Sequence, residues 1–74
     1  MTKIIAYSYQ NKVNAIEINE EDIEGFVTEN EAELDKDING EVAYSIYSTK
    51  VNTVESAKTI FVNSYMTVHE ELED

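Results

Sequence analysis

The side chains able to do chemistry in this chain are mostly carboxylates. Asp and Glu supply 16 of the 74 residues, and 11 of these fall between Glu17 and Glu41 with Lys36 as the only cation among them. A carboxylate can move a proton, hold a cation or meet a basic surface. The first role needs a pocket that separates the pKa values of paired groups. The chain has no cysteine, hence no thiolate, and a single histidine, His69, around which no nucleophile and base assemble. His69 reads as a partly exposed helix residue. No glycine-rich phosphate loop occurs, and two glycines in all leave little material for a catalytic cleft. An enzyme is not expected, nor a cofactor.

The formal net charge is −11, from 16 acids against five lysines and no arginine. Arginine grips phosphate with parallel N–H donors, so its absence argues against direct binding of DNA, RNA or an anionic membrane surface. A basic protein or a metal cation is the natural complement. No apolar run approaches the ~18–20 residues of a membrane span, and the N-terminus lacks a basic-then-apolar leader pattern. Without cysteine there is no disulfide framework, and the expected location is the cytoplasm, or the host cytoplasm if the source is a phage. Hydrophobic residues still make up 42% and are periodically placed, which argues against disorder. One domain, residues 1–74, is expected.

The elements that must position the acids can be read from period and turn chemistry. Lys3 to Tyr9 and Val13 to Ile18 are rich in β-branched and aromatic residues, and the Gln10-Asn11-Lys12 link predicts an antiparallel hairpin. Ile4, Ala6, Ile16 and Ile18 suit one inward face, and Ile5, Tyr7 and Tyr9 would make an equally apolar one. A helix then opens at Asn19 as N-cap, with Glu20, Glu21, Asp22 and Glu24 at the positive end of its dipole. Carried to residue 38, it gathers Ile23, Phe26, Val27, Leu34 and Ile38 within an arc of about 120° and leaves most of the acids outside. Gly25 and the capping box Thr28-x-x-Glu31 predict a kink or break near residue 28. Asn39-Gly40 either follows a helix C-terminus or forms a two-residue hairpin turn. The helix-forming EAELDKD run, with Lys36 misplaced for a strand face, favours the helix.

Glu41 to Ser48 reads as a strand, on which Tyr44 and Tyr47 must face opposite sides. The capping box Asn52-x-x-Glu55 then opens a second helix with Val54, Ala57, Phe61, Tyr65, Val68 and Leu72 on one stripe. The expected fold is α+β: a small antiparallel sheet of three strands, in order ββαβα with two helices packed on one face, or of four strands in order ββαββα. Val62 and Met66, nearly opposite the stripe, form a second apolar patch suited to self-association as a homodimer or to a partner groove, with Ile60 on a third side.

Asp35-Lys-Asp37-Ile-Asn39-Gly40 resembles the first half of an EF-hand calcium loop, with Val42 apolar two places after the glycine. That resemblance implies a bidentate glutamate at position twelve of the loop, where this chain has Ile46. Flanked by a strand, the motif reads first as a turn, and no metal site is assigned.

Two functions follow. On a helix, the nine acids in the 18 positions from Glu20 to Asp37 give roughly one charge per 3 Å of axis, close to the ~3.4 Å phosphate spacing of one nucleic acid strand. The leading expectation is a non-enzymatic inhibitor that mimics nucleic acid and blocks the basic groove of a DNA- or RNA-handling protein. Glu20, Glu21, Glu24, Glu29, Glu31, Glu33, Asp35 and Asp37 would stand in for phosphates, with Tyr47 as an apolar anchor. In size and charge the chain is similar to phage anti-restriction and anti-CRISPR proteins, several of which act as DNA mimics. The alternative is a structural or adaptor protein that pairs through Val62 and Met66 or through a free sheet edge, its acidity serving only solubility.

Overall fold

A computed structural model describes the backbone of residues 1–73 and the side chains of residues 1–64. The elements run β1 (Thr2–Tyr9), β2 (Lys12–Asn19), a 3-10 turn (Glu20–Asp22), α1 (Ile23–Asn30), β3 (Tyr44–Ser48) and α2 (Val54–Glu73). The fold is α+β, with three antiparallel strands in the spatial order β2-β1-β3 and two helices. No helix among the described residues is long and apolar enough to cross a membrane.

β1 lies between the other two strands and buries both of its faces, which is why its inner run Ile4-Ile5-Ala6 is apolar without alternation. The pairing register sorts the side chains. Ala6 lies opposite Ala15 and Ser8 opposite Val13, while Ile5 lies opposite Ile16 and Lys3 opposite Ile18. Ile16 and Ile18 therefore share a face with Ile5 and Tyr7, not with Ile4 and Ala6 as the sequence suggested.

Both apolar faces are used, so the helices divide between them instead of sharing one. On the first face Phe61 of α2 packs with Ala6 and Ala43, flanked by Val13, Ala15 and Tyr47. The small Ala6–Ala15 pair leaves the depression that the Phe61 ring occupies. On the second face Phe26 of α1 meets Tyr7, with ring centroids 5.3 Å apart and planes tilted by 59°. That geometry lies within the favourable range for aromatic pairs.

α2 is capped one residue later than expected. Ser56 N–H donates to Thr53 Oγ1 (3.1 Å) and Thr53 N–H donates to Ser56 Oγ (2.8 Å), so Thr53 is the N-cap. Asn52, the expected cap, instead donates from Nδ2 to the Ser48 carbonyl at 3.3 Å. At the start of the acidic segment, Asn19 closes β2 and its side chain makes no capping bond. It donates to Asp22 Oδ2 at 3.4 Å.

The largest departure concerns residues 31–43. The long helix expected to reach residue 38 stops at Asn30, two residues beyond the expected break, where the N–H groups of Glu33 and Leu34 both fold back onto the Asn30 carbonyl. Ile38, placed on the core stripe by the helical reading, is 59% exposed, whereas Leu34 is buried from an irregular segment. The Asn-Gly turn comes closer to the hairpin reading. Lys36 and Val42 form one antiparallel bridge around it, and Gly40 N–H donates to the Asp37 carbonyl at 3.0 Å. No fourth strand develops from that bridge among the described residues.

Candidate functional site: an acidic lobe and an aromatic cleft

Asp35 was expected on the partner-facing row, and the fold uses it internally. Its carboxylate accepts the Ser8 hydroxyl at 2.6 Å, the Gln10 N–H at 3.1 Å and the Asn11 N–H at 2.8 Å. Its own peptide group sits between β1 and the approach to β3: Asp35 N–H donates to the Ser8 carbonyl (2.9 Å), and the Asp35 carbonyl accepts from Ala43 N–H (3.0 Å). Gln10 and Asn11 make a two-residue turn with φ of 50° and 64°, the left-handed pair that a type I′ hairpin requires. Neither residue is glycine, so the turn is strained, and the carboxylate offsets that strain by fixing both N–H groups. Ser8, fully buried and polar, obtains its partner the same way.

Asp37 is likewise turned toward the backbone. Its Oδ1 accepts from Asn39 N–H at 2.8 Å and Glu41 N–H at 3.0 Å, closing the turn that Gly40 completes at φ 82°. The two aspartates that begin the EF-hand-like run thus accept backbone N–H donors, and Ile46 at the closing position lies in β3. Among the described residues no group of three or more His, Cys, Asp or Glu side chains is gathered to hold a metal ion.

The other acids between Glu17 and Glu41 face solvent. Glu20, Glu21, Asp22, Glu24, Glu29, Glu31 and Glu33 are all exposed, and no lysine lies between Lys12 and Lys36. They do not form a single row. The 3-10 turn, α1 and the turn after it each carry some, and Glu24 and Glu29, five residues apart on one helix, point about 140° from each other. The regular phosphate-like spacing required one continuous helix and is lost with it. What remains is a rounded anionic lobe. Lys36 reaches back to it with Nζ 3.1 Å from the Glu31 carbonyl and 3.9 Å from Glu31 Oε1, an exposed contact that neutralises little.

Beside the lobe is a cleft of about 300 Å³. Tyr7 and Tyr9 of β1 and Phe26 of α1 form its walls, Asn14, Asn30 and Glu33 line it, and Leu34 adjoins them. Its parts come from the hairpin (Tyr7, Tyr9 and Asn14) and from the middle of the acidic segment (Phe26 to Leu34), and the return of the chain at Leu34 and Asp35 to β1 brings them together. The alternation Tyr7-x-Tyr9 was the one local signal. A shallower recess on the far side of Phe26 is lined by Ile18, Glu21, Asp22, Gly25 and Glu29.

Of the expected apolar anchors, Tyr47 is half-buried and packs on the core that contains Phe61. Tyr44 and Ile46, on the opposite face of β3, are each 40% exposed. Val62 is half-buried, and Ile60 is 44% exposed. Met66 and His69 lie outside the described side chains, as do Tyr65, Val68 and Leu72. Compared with known proteins, the chain matches no family model, no curated protein and no solved structure.

Proposed function

We propose that this chain is a non-enzymatic acidic binding protein that occupies the basic surface of a DNA- or RNA-handling protein and so excludes nucleic acid from it. The observation that carries the reading is the lobe: seven exposed carboxylates between Glu20 and Glu33, with no cation interspersed. Exposed charge of one sign at this density is costly to a small domain through self-repulsion, and it becomes favourable when a surface of opposite sign approaches. Association is steered and fast, and it weakens steeply with salt as the contacts are screened.

The mimicry is of charge and not of helical regularity. Asp35 and Asp37 are taken up by the backbone, so the expected partner-facing acids are reduced to Glu20, Glu21, Glu24, Glu29, Glu31 and Glu33, and the exposed Asp22 joins them. The test is capture of basic nucleic-acid-binding proteins on the immobilised chain at about 50 and about 200 mM salt, the span over which such contacts weaken most visibly. Duplex DNA added as competitor should displace the captured protein. The triple variant Glu20→Lys/Glu24→Lys/Glu31→Lys should lose capture altogether. Capture that persists in that variant, or that DNA does not displace, would overturn the reading.

A further inference from the structure

The aromatic cleft beside the lobe is built for a positively charged, planar group. Three rings, Tyr7, Tyr9 and Phe26, wall it, and the Tyr7–Phe26 pair is held at 5.3 Å by contact between β1 and α1. Ring faces carry negative electrostatic potential and attract cations laid over them. The polar lining is of the same sense. Glu33 is an exposed carboxylate, and Asn30 spends its Nδ2 on the Phe26 carbonyl at 2.8 Å, which leaves its side-chain oxygen as an acceptor. Among the described residues no cationic side chain lines the cleft. An anionic ligand would meet Glu33 and the surrounding lobe with nothing to pair against, and a purely apolar one would leave the two amides and the carboxylate unmatched.

We infer that the cleft receives an arginine side chain of the basic protein partner, its guanidinium held among the Tyr7, Tyr9 and Phe26 rings and hydrogen-bonded to Glu33 and Asn30. The inference rests on the proposed function for the partner's charge and adds what the lobe alone lacks, a fixed point of contact. Long-range attraction to exposed carboxylates sets the rate of encounter but little geometry. A buried arginine anchor near the centre of an interface sets register and slows departure. Arginine is favoured over lysine because the guanidinium is planar, is weakly hydrated and stacks on aromatic faces, whereas an ammonium is a compact, strongly hydrated charge.

The test uses three nonapeptide probes of eight lysines around a central arginine, lysine or citrulline, titrated into the full chain and followed by amide NMR shifts and calorimetry. The lysines engage the lobe in all three, so the central residue reports on the cleft. The arginine peptide should bind at least threefold more tightly than the lysine peptide and at least fivefold more tightly than the citrulline peptide, with the largest shifts at Tyr7, Tyr9 and Asn14. Asn14→Phe, at an exposed strand position tolerant of aromatics, fills the cleft without altering charge and should abolish the arginine preference. If that variant does not fold, Glu33→Gln decides the matter. It should weaken the arginine peptide at least threefold more than Glu31→Gln, which removes the same charge outside the cleft.

Equal binding of the arginine and lysine peptides, an arginine preference undiminished in Asn14→Phe, or equal effects of the two glutamine variants overturns the cleft while leaving the lobe standing. If none of the peptides loses affinity in Glu20→Lys/Glu24→Lys/Glu31→Lys, it is the lobe that fails.

Discussion

Asp35 concentrates more of the fold than any other acid among the described residues. Its carboxylate ties the Ser8 hydroxyl and the N–H groups of Gln10 and Asn11, and its peptide group is inserted between Ser8 and Ala43. Hydrogen bonds to a charged acceptor are worth about 1.5–3 kcal/mol each when intact, and abandoned donors cost more when buried than when water can reach them. Asp35→Ala should therefore lower stability by about 2–4 kcal/mol, read from urea midpoints, because the Ser8 hydroxyl has no access to water while the Gln10 and Asn11 amides do. Ser8→Ala should cost about 1–2 kcal/mol, and the double variant less than the sum of the two. An Asp35→Ala variant as stable as the parent would show that the clasp is incidental. Glu29 and Glu31, with no such backbone donors on them, mark the contrast between an acid that builds and an acid that is displayed.

At the scale of elements, the hairpin turn carries an unspent margin. Type I′ turns favour Asn-Gly, and this one has Gln10-Asn11 with both residues left-handed. Replacing the pair, Gln10→Asn with Asn11→Gly, keeps both N–H groups for Asp35 and removes strain. A gain of about 0.5–1 kcal/mol in thermal or urea unfolding is expected, and a loss would mean that the carboxylate requires the parent turn geometry. The strands, this turn and α2 were legible because their signals are local: β-branched runs, a short polar link whose last residue, Lys12, in fact opens β2, and a stripe at helical spacing near a capping residue. α1 is shorter than composition alone predicts, and the reason is electrostatic. A helix through residues 29–37 would set Glu29 against Glu33, Glu31 against Asp35 and Glu33 against Asp37, each a like-charged pair at i,i+4 costing about 0.2–0.5 kcal/mol. Ending at Asn30 removes those pairs and frees Asp35 and Asp37 to bind backbone N–H groups, the competition that makes aspartate a poor residue for a helix interior. The cleft was illegible for a different reason, since Tyr7, Asn14, Phe26 and Glu33 share no period and meet only through tertiary return of the chain.

Across the whole molecule, charge and packing are segregated. The apolar residues of β1 are enclosed between α1 and α2, and the acids gather on the lobe that α1 and its flanking turns carry. That lobe is tied down at its far end by a contact spanning 24 to 27 residues of chain, the reach from Asp35 back to Asn11 and Ser8. This span has a kinetic consequence. The carboxylate can close only on a turn that already exists, so the hairpin must be in place before residues 31–43 are laid against it, and the clasp belongs to the late, downhill side of the folding barrier. In stopped-flow experiments Asp35→Ala should raise the unfolding rate by about 30-fold or more while changing the folding rate by less than about twofold. A slowed folding arm would place the clasp in the nucleus instead. In a chain ordered this way, the end of the proposed partner surface that carries Glu31 and Glu33 is among the last parts to assemble and the first to lift away, so a partner seated there would act as a brake on the loss of the clasp.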